Sequence, residues 1–376
     1  MKLSQRIEAI EGSKTARFIP LMAELRQKGR QVISLAIGEP EFDTPDPVIE
    51  ATKRALDRQA TRYSEIPGLP VLREALAERF EGAGAQNIVV FNGSKQALHT
   101  IFQAICDPGD EVILPIPCWV SFTEQVKMAG GRPVLVPTRD HQLDVDAMAA
   151  AITGRTRVIL INSPNNPTGA LYPRKDLERI ARLAVRHDLI LVADEAYDFF
   201  VYDGAVCTSL YDLAEIRDRV IVTRSFSKHY AMTGFRLGYA VAPIPVANAM
   251  IRLHSHTTGN VCTFAQYGAL AALSMDETLL VQRRAELERK RDLAVAQIAD
   301  VFPCVRPQGA FYLFPNVSGH LKPGETSGDF AARILEQTGV AVVPGEDFGL
   351  DGYVRICFAA PETQLLEAFK RIREVL

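Results

Sequence analysis

The chain has 376 residues, long enough for two domains and a large buried core. Hydrophobic residues make up 47% and charged residues 23%, ordinary for a globular enzyme. With 42 basic and 45 acidic residues the formal net charge is -3, which offers no electrostatic footprint for nucleic acid or an anionic membrane, so a small ligand is expected.

The opening stretch MKLSQRIEAIEGSK is interrupted by Arg6, Glu8 and Glu11 and has no apolar core of a signal peptide. No apolar run approaches the roughly 18 residues of a membrane span. A cytoplasmic location is expected. The six cysteines form no CxxC pair and read as buried thiols. His254 and His256 lie close together without an acidic neighbour at metal-ligand spacing. No metal is expected, and the spacing assigns these histidines no role.

From about residue 70 helical periodicity alternates with short apolar runs. LPVLREALAERF spaces its leucines and alanines as a helix, and NIVVF follows as a buried strand ending at Asn92-Gly93. SKQALHTIFQAI reads as an amphipathic helix with Ser94 near its cap, then come the turn DPGD and the strand EVILP. The series continues through SFTEQVKMAG, RPVLVP, DVDAMAAAI, RVILIN, RKDLERIARLAVRHD, LILVAD and RVIVT. Strands as uniformly apolar as RVILIN and LILVAD are covered on both faces, which predicts an α/β fold with a mostly parallel sheet between helix layers. After residue 275 the long helix ETLLVQRRAELERKRDLAVAQIADV begins, with RRAELERKRD read as a solvated face. GAFYLF, DFAARILEQTG, VAVVPG, YVRICFAAP and TQLLEAFKRIREVL then make a smaller α/β domain. The expected division is a large domain over 47–280 and a small one over 281–376, joined by an N-terminal segment over 1–46.

Parallel sheets place ligands beyond the carboxyl ends of their strands. Those ends carry Gly93-Ser94, Cys118-Trp119, Asn165-Asn166, Asp194 to Tyr197, and Ser225 to Lys228. Together SFSKHYAMTGFRLGY, NSPNNPTG, ADEAY, NGSKQAL and YVRICFAAP resemble the class I pyridoxal-phosphate-dependent aminotransferases, the aspartate aminotransferase family of fold type I. The likeness runs from GEPEFDTP to Arg355.

The resemblance implies pyridoxal 5'-phosphate as cofactor and Lys228 as the lysine that holds its aldehyde and moves the substrate proton. Ser225, Ser227 and Arg236 would seat the phosphate with hydroxyls and a guanidinium fork. Gly93, Ser94 and Lys95 would add N–H groups at a helix start, although NGS alone also fits a plain capped turn. Asp194, costly to bury alone, would meet the pyridine nitrogen; an N-cap or turn aspartate is its plainer reading. Tyr197 and Asn166 would hydrogen-bond the cofactor's 3' oxygen, and Trp119 would stack on its ring. Tyr63 matches the tyrosine that in this family reaches the phosphate of the neighbouring subunit, implying a homodimer with composite sites. Arg355 would grip the substrate α-carboxylate, with backbone approach allowed by Gly38; an ion pair with Glu346 or Asp347 is the alternative.

For substrate, Lys95 matches a lysine that in some bacterial aspartate aminotransferases meets a distal carboxylate. This points to aspartate or glutamate with 2-oxoglutarate or oxaloacetate, by a ping-pong cycle. Phe18 and Ile19 could line an apolar pocket instead, for aromatic or aliphatic donors. A carbon–sulfur β-lyase of the same fold is a further alternative. A pyridoxal-sensing DNA-binding regulator is disfavoured because too few residues precede GEPEF, and a non-catalytic relative because Lys228, Asp194 and Arg355 are all present.

Overall fold

The computed structural model describes residues 3–12 and 18–376. The stretch Ser13 to Arg17, part of the N-terminal segment read above as joining the small domain, lies outside the described residues. Twelve strands occur among the described residues. In chain order they are β1 (Ile33–Ser34), β2 (Ile88–Phe91), β3 (Glu111–Ile116), β4 (Arg132–Pro137), β5 (Thr156–Asn162) and β6 (Ile190–Asp194), then β7 (Val220–Ser225), β8 (Gly238–Val241), β9 (Tyr312–Leu313), β10 (Val340–Ala341), β11 (Val343–Pro344) and β12 (Val354–Cys357).

Seven of them form one sheet in the order β2-β8-β7-β6-β5-β3-β4. All neighbouring pairs from β7 to β4 are parallel, and β8 runs antiparallel to both β7 and β2. The pleat sends alternate side chains to opposite faces, which explains the uniformly apolar strands. Val112, Leu114, Val158, Leu160 and Val192 join a core with the helices Ser94–Ile105, Ser121–Met128 and Ile244–Thr257. Ile113, Ile159, Ile161, Leu191 and Ala193 face the opposite core, against the helices Pro70–Ala77, Arg174–His187 and Thr263–Leu273. Truncating a fully buried side chain such as Ile159 to alanine should therefore cost about 2–5 kcal/mol.

A third core gathers the helix Thr278–Ile298, strands β9 and β12 and the helices Ser327–Thr338 and Glu362–Arg373. The three-stranded sheet β11-β12-β9 lies there, and β1 pairs in parallel with β10, Ile33 opposite Val340. The N-terminal segment is thus attached, through β1, to the C-terminal part of the chain. No helix among the described residues is long and apolar enough to cross a membrane.

GYAV, not read as an element in the sequence, is strand β8. Ser94 lies next to the cap, as expected: it is the first helical residue, and the cap is Gly93, which supplies no side-chain bond. One local expectation needs correction. The RRAELERKRD face is not simply solvated: Lys290 and Arg291 are buried. Arg291, 0% exposed, donates to Asp203 at 2.6 and 2.8 Å, to Asp292 at 2.7 Å and to the Pro307 carbonyl at 3.2 Å. Lys290 pairs with Glu41 and, at 2.9 Å, with Glu286. Asp203 and Glu41, from distant segments, join Asp292 and Glu286 of the same helix in making burial of these cations tolerable, and spacing along the helix cannot reveal the distant two.

Candidate active site

Beyond the carboxyl ends of the sheet strands lies a cavity of about 370 Å³ lined by residues that include Gly38, Ser94, Trp119, Asn166, Asp194, Tyr197, Lys228 and Arg355. All eight were singled out in the sequence, and the fold brings them to one wall system. Lys228 sits in the one-turn helix Phe226–His229 directly after β7, with the Ser225 hydroxyl capping that turn by accepting from the Ser227 N–H at 3.1 Å. Its amine donates to the Gly38 carbonyl at 2.5 Å. Burial lowers the amine from its ordinary 10.5 to about 8, partly opposed by Cys357 and Glu39.

Asp194 ends β6 and is 4% exposed. Its Oδ1 accepts from the Ala196 N–H at 3.2 Å and from the Thr223 hydroxyl at 3.5 Å. Burial raises the carboxyl to about 7; the Ala196 bond pulls it down and the charge of Glu195 pushes it up. No cation forms an ion pair with Asp194 among the described residues. Tyr197, one turn on, shares a 2.7 Å bond with the hydroxyl of Tyr312, and burial holds the Tyr197 phenol well above its ordinary 10.

Arg355, on β12 and 5% exposed, donates to Asn166 Oδ1 at 3.0 Å and to the Ala36 carbonyl at 2.6 Å. Its guanidinium lies 4.4 Å from the Tyr312 ring centre. The Nε has no hydrogen-bond partner among the described residues. The neutral acceptors at Asn166 and Ala36 orient the group without cancelling its charge.

The remaining predicted residues flank this cavity. Gly93 adopts φ +83°, and a Cβ there would stand 2.6 Å from Arg236 Nη2, so the Arg236 guanidinium lies against the bare start of the helix Ser94–Ile105. Arg236, itself left-handed at φ 56°, donates to the Thr233 carbonyl at 2.9 Å. Lys95 does not line the main cavity. It lines an adjoining one of about 430 Å³ with Arg236, His99 and Gln96, and its amine lies 4.7 Å from the Trp119 ring centre. Burial, with the Arg236 charge adding, lowers its pKa. Tyr63, by contrast, is 96% exposed and is not among the residues that line either cavity.

Sequence reasoning missed two lining residues whose side chains hydrogen-bond, Asn162 and Tyr312, besides the apolar Met22, Ala36 and Ile37. Asn162, the last residue of β5, donates to the Asp194 carbonyl at 2.9 Å and accepts from the Asn166 N–H at 2.9 Å, so it fixes both strand ends. Tyr312 of GAFYLF supports Tyr197 and Arg355 together. The polar ending of RVILIN was a visible signal for the first; an aromatic within an apolar run gave none for the second. Ile19, Met22 and Ile37 add an apolar part of the wall. His254 is buried, stacked on Phe91 at 5.0 Å, away from these residues. No group of three or more His, Cys, Asp or Glu among the described residues could hold a metal.

A parallel sheet with an amine, a buried carboxylate and a guanidinium around one cavity defines an α/β enzyme of the fold type I architecture. The chain belongs to the family of class I and II aminotransferases, whose model matches residues 30–372. Members of this family use pyridoxal 5'-phosphate. The chain is 40% identical to the probable aspartate/prephenate aminotransferase of Aquifex aeolicus, over 100% of this chain and 98% of that one. It is 37% identical to the aspartate aminotransferase of Geobacillus stearothermophilus, over 100% and 99% of the two chains. The solved structure of the Thermus thermophilus aspartate aminotransferase with maleate superposes with a TM-score of 0.95 at 41% identity, covering all of both chains.

Proposed function

We propose that this aminotransferase holds pyridoxal 5'-phosphate in the 370 Å³ cavity and moves the amino group of aspartate or glutamate to 2-oxoglutarate or oxaloacetate. The observation that carries the reading is a single cavity with Lys228, Asp194 and Arg355 on its wall.

The residues fit the cofactor. Asp194 is a buried carboxylate without a cation, the counterpart of a protonated ring nitrogen. Gly93 leaves open the space that a Cβ would fill against Arg236, and the uncapped helix start beside it suits a phosphate. Ser94, Ser225, Ser227 and Arg236 would hold that phosphate, Trp119 would cover the ring, and Asn166 and Tyr197 would bond its 3' oxygen. When bound, the cofactor supplies a carbonyl that takes up the amino group and a ring that withdraws electrons from the substrate Cα.

This chain's own groups do the rest. With its pKa near 8, the Lys228 amine is neutral in a sizeable fraction of molecules at physiological pH, so it can take a proton from Cα and return it to a neighbouring carbon. Asp194, only 4% exposed, would stabilise positive charge at the ring nitrogen. Arg355 grips the α-carboxylate, oriented by Asn166 and Ala36. Lys95, at the edge behind Trp119, would meet the distal carboxylate. Tyr63, fully exposed, would serve the cavity of a second copy in a homodimer. A cytoplasmic site of action agrees with such substrates.

A second reading is favoured by one observation. Ile19, Met22 and Ile37 line the cavity and suit aromatic or aliphatic donors. Single amino acids added to reconstituted protein without keto acid distinguish the readings. Aspartate or glutamate should convert the cofactor and release one equivalent of the matching keto acid. Conversion by phenylalanine or tyrosine alone would support the apolar pocket, and pyruvate from a cysteine-type substrate would overturn transamination in favour of the β-lyase.

A further inference from the structure

The carboxyl ends of β6 and β7 carry Asp194 and the turn with Lys228. They are in register there, Asp194 opposite Thr223, and the next N–H, of Glu195, donates to the Thr223 carbonyl at 2.9 Å. Side chains alternate across a strand, so Asp194 and Thr223 meet on the cavity face while Glu195 and Arg224 meet on the reverse. Arg224 donates through Nη2 and Nε to Glu195 Oε2 at 2.8 and 3.0 Å. The Ser209 hydroxyl donates to Glu195 Oε1 at 2.6 Å. Asp198 Oδ2 lies 3.2 Å from Arg224 Nε, and the Phe80 ring centre lies 4.7 Å from the guanidinium. Tyr239 of β8, Cys207 and His229 are further titratable groups that feel the Arg224 charge.

The Glu195 side chain is 4% exposed, and no step described above uses it. A buried ion pair is a poor way to gain stability alone, because desolvation offsets most of the attraction. Its place is what distinguishes it: it ties the two strand ends together one residue beyond Asp194 and one before Ser225.

We propose that Glu195 and Arg224 form a positioning clamp, which locks the ends of β6 and β7 from behind and so holds Asp194 and Lys228 in fixed relation for the cofactor. The clamp also neutralises Glu195. That charge already pushes the Asp194 carboxyl up, and without Arg224 an uncompensated buried carboxylate would stand beside it. The proposal rests on the cofactor reading above.

The test compares Arg224→Met, Arg224→Lys, Glu195→Gln and the double variant Glu195→Gln/Arg224→Met with the wild type. Affinity for pyridoxal phosphate is measured by absorbance titration of the cofactor-free protein, together with the pH midpoint of the visible band. Arg224→Met should weaken cofactor binding by about tenfold or more and displace the midpoint, because it leaves Glu195 unpaired. Arg224→Lys should recover most of the loss. The double variant, which carries no charge at position 195 and leaves only the partly exposed Asp198 without its cation, should bind within about threefold of wild type. An Arg224→Met protein that is less heat-stable but unchanged in affinity and midpoint would overturn the clamp, as would a double variant as impaired as the single one. Should Arg224→Met not fold, Glu195→Gln, which removes both Arg224 bonds to Glu195, takes its place: an unchanged affinity and midpoint in that variant overturns the clamp equally. Failure of the cofactor reading is seen separately, as a wild type that takes up no pyridoxal phosphate.

Discussion

Replacing Asp194 with asparagine should stabilise the cofactor-free chain and weaken the loaded one. The substitution keeps an Oδ1 to accept from the Ala196 N–H and the Thr223 hydroxyl while removing the charge. Burial raises this carboxyl from its ordinary 3.8 to about 7. The folded chain therefore holds the proton more tightly than the unfolded one. The associated stability is fully present below about pH 4 and is lost as pH rises to about 7. At about 1.4 kcal/mol per pH unit, the ionised group costs the cofactor-free protein on the order of 4 kcal/mol above that range. Urea unfolding at pH 4 and pH 8 reads this directly. The gap between Asp194→Asn and wild type should open with pH, toward a more stable variant at pH 8. Adding pyridoxal phosphate should reverse the order, since only the carboxylate gains a cationic partner. A variant no more stable than wild type at pH 8 in the absence of cofactor, or one that binds the cofactor equally well, would refute the argument.

Two further outcomes follow from the same wall. A Cβ at Gly38 would overlap the Tyr312 hydroxyl. Gly38→Ala should therefore cost about 1–3 kcal/mol by overpacking, and adding Tyr312→Phe should return part of it; thermal unfolding of the double variant no better than the single one would contradict this. Arg355→Lys loses the fork that bonds Asn166 and Ala36 at once. Steady-state kcat/KM for aspartate should fall roughly 10- to 150-fold, the equivalent of one charged hydrogen bond of about 1.5–3 kcal/mol, and an unchanged value would remove Arg355 from the substrate site.

Much of this arrangement was readable from the chain. β5, β6 and β7 announce themselves because a sheet covered on both faces needs apolar residues at every position, and the polar residues that end them become the cavity wall. Gly38, Asn166 and Arg355 come from distant segments, and their motifs carried them. What stayed hidden depends on partners far away in sequence. Tyr312 matters because Tyr197 and Arg355 happen to reach it, and Arg291 is buried because Asp203 is there to receive it. Lys95 shows the limit of a motif: its position on the helix was clear, but its amine turns toward Trp119 and a neighbouring cavity. β8 was missed because its four residues include a glycine and follow the lysine motif without a break.

The proposed function turns on Lys228, as the amine that would take and return the substrate proton and hold the cofactor. The visible spectrum of wild type and Lys228→Ala after loading with pyridoxal phosphate tests this most directly. The wild type should show a band that responds to an amino donor. In the variant, cofactor held only through its phosphate should lack that band and support no turnover. A wild-type-like band and full transamination in Lys228→Ala would contradict it.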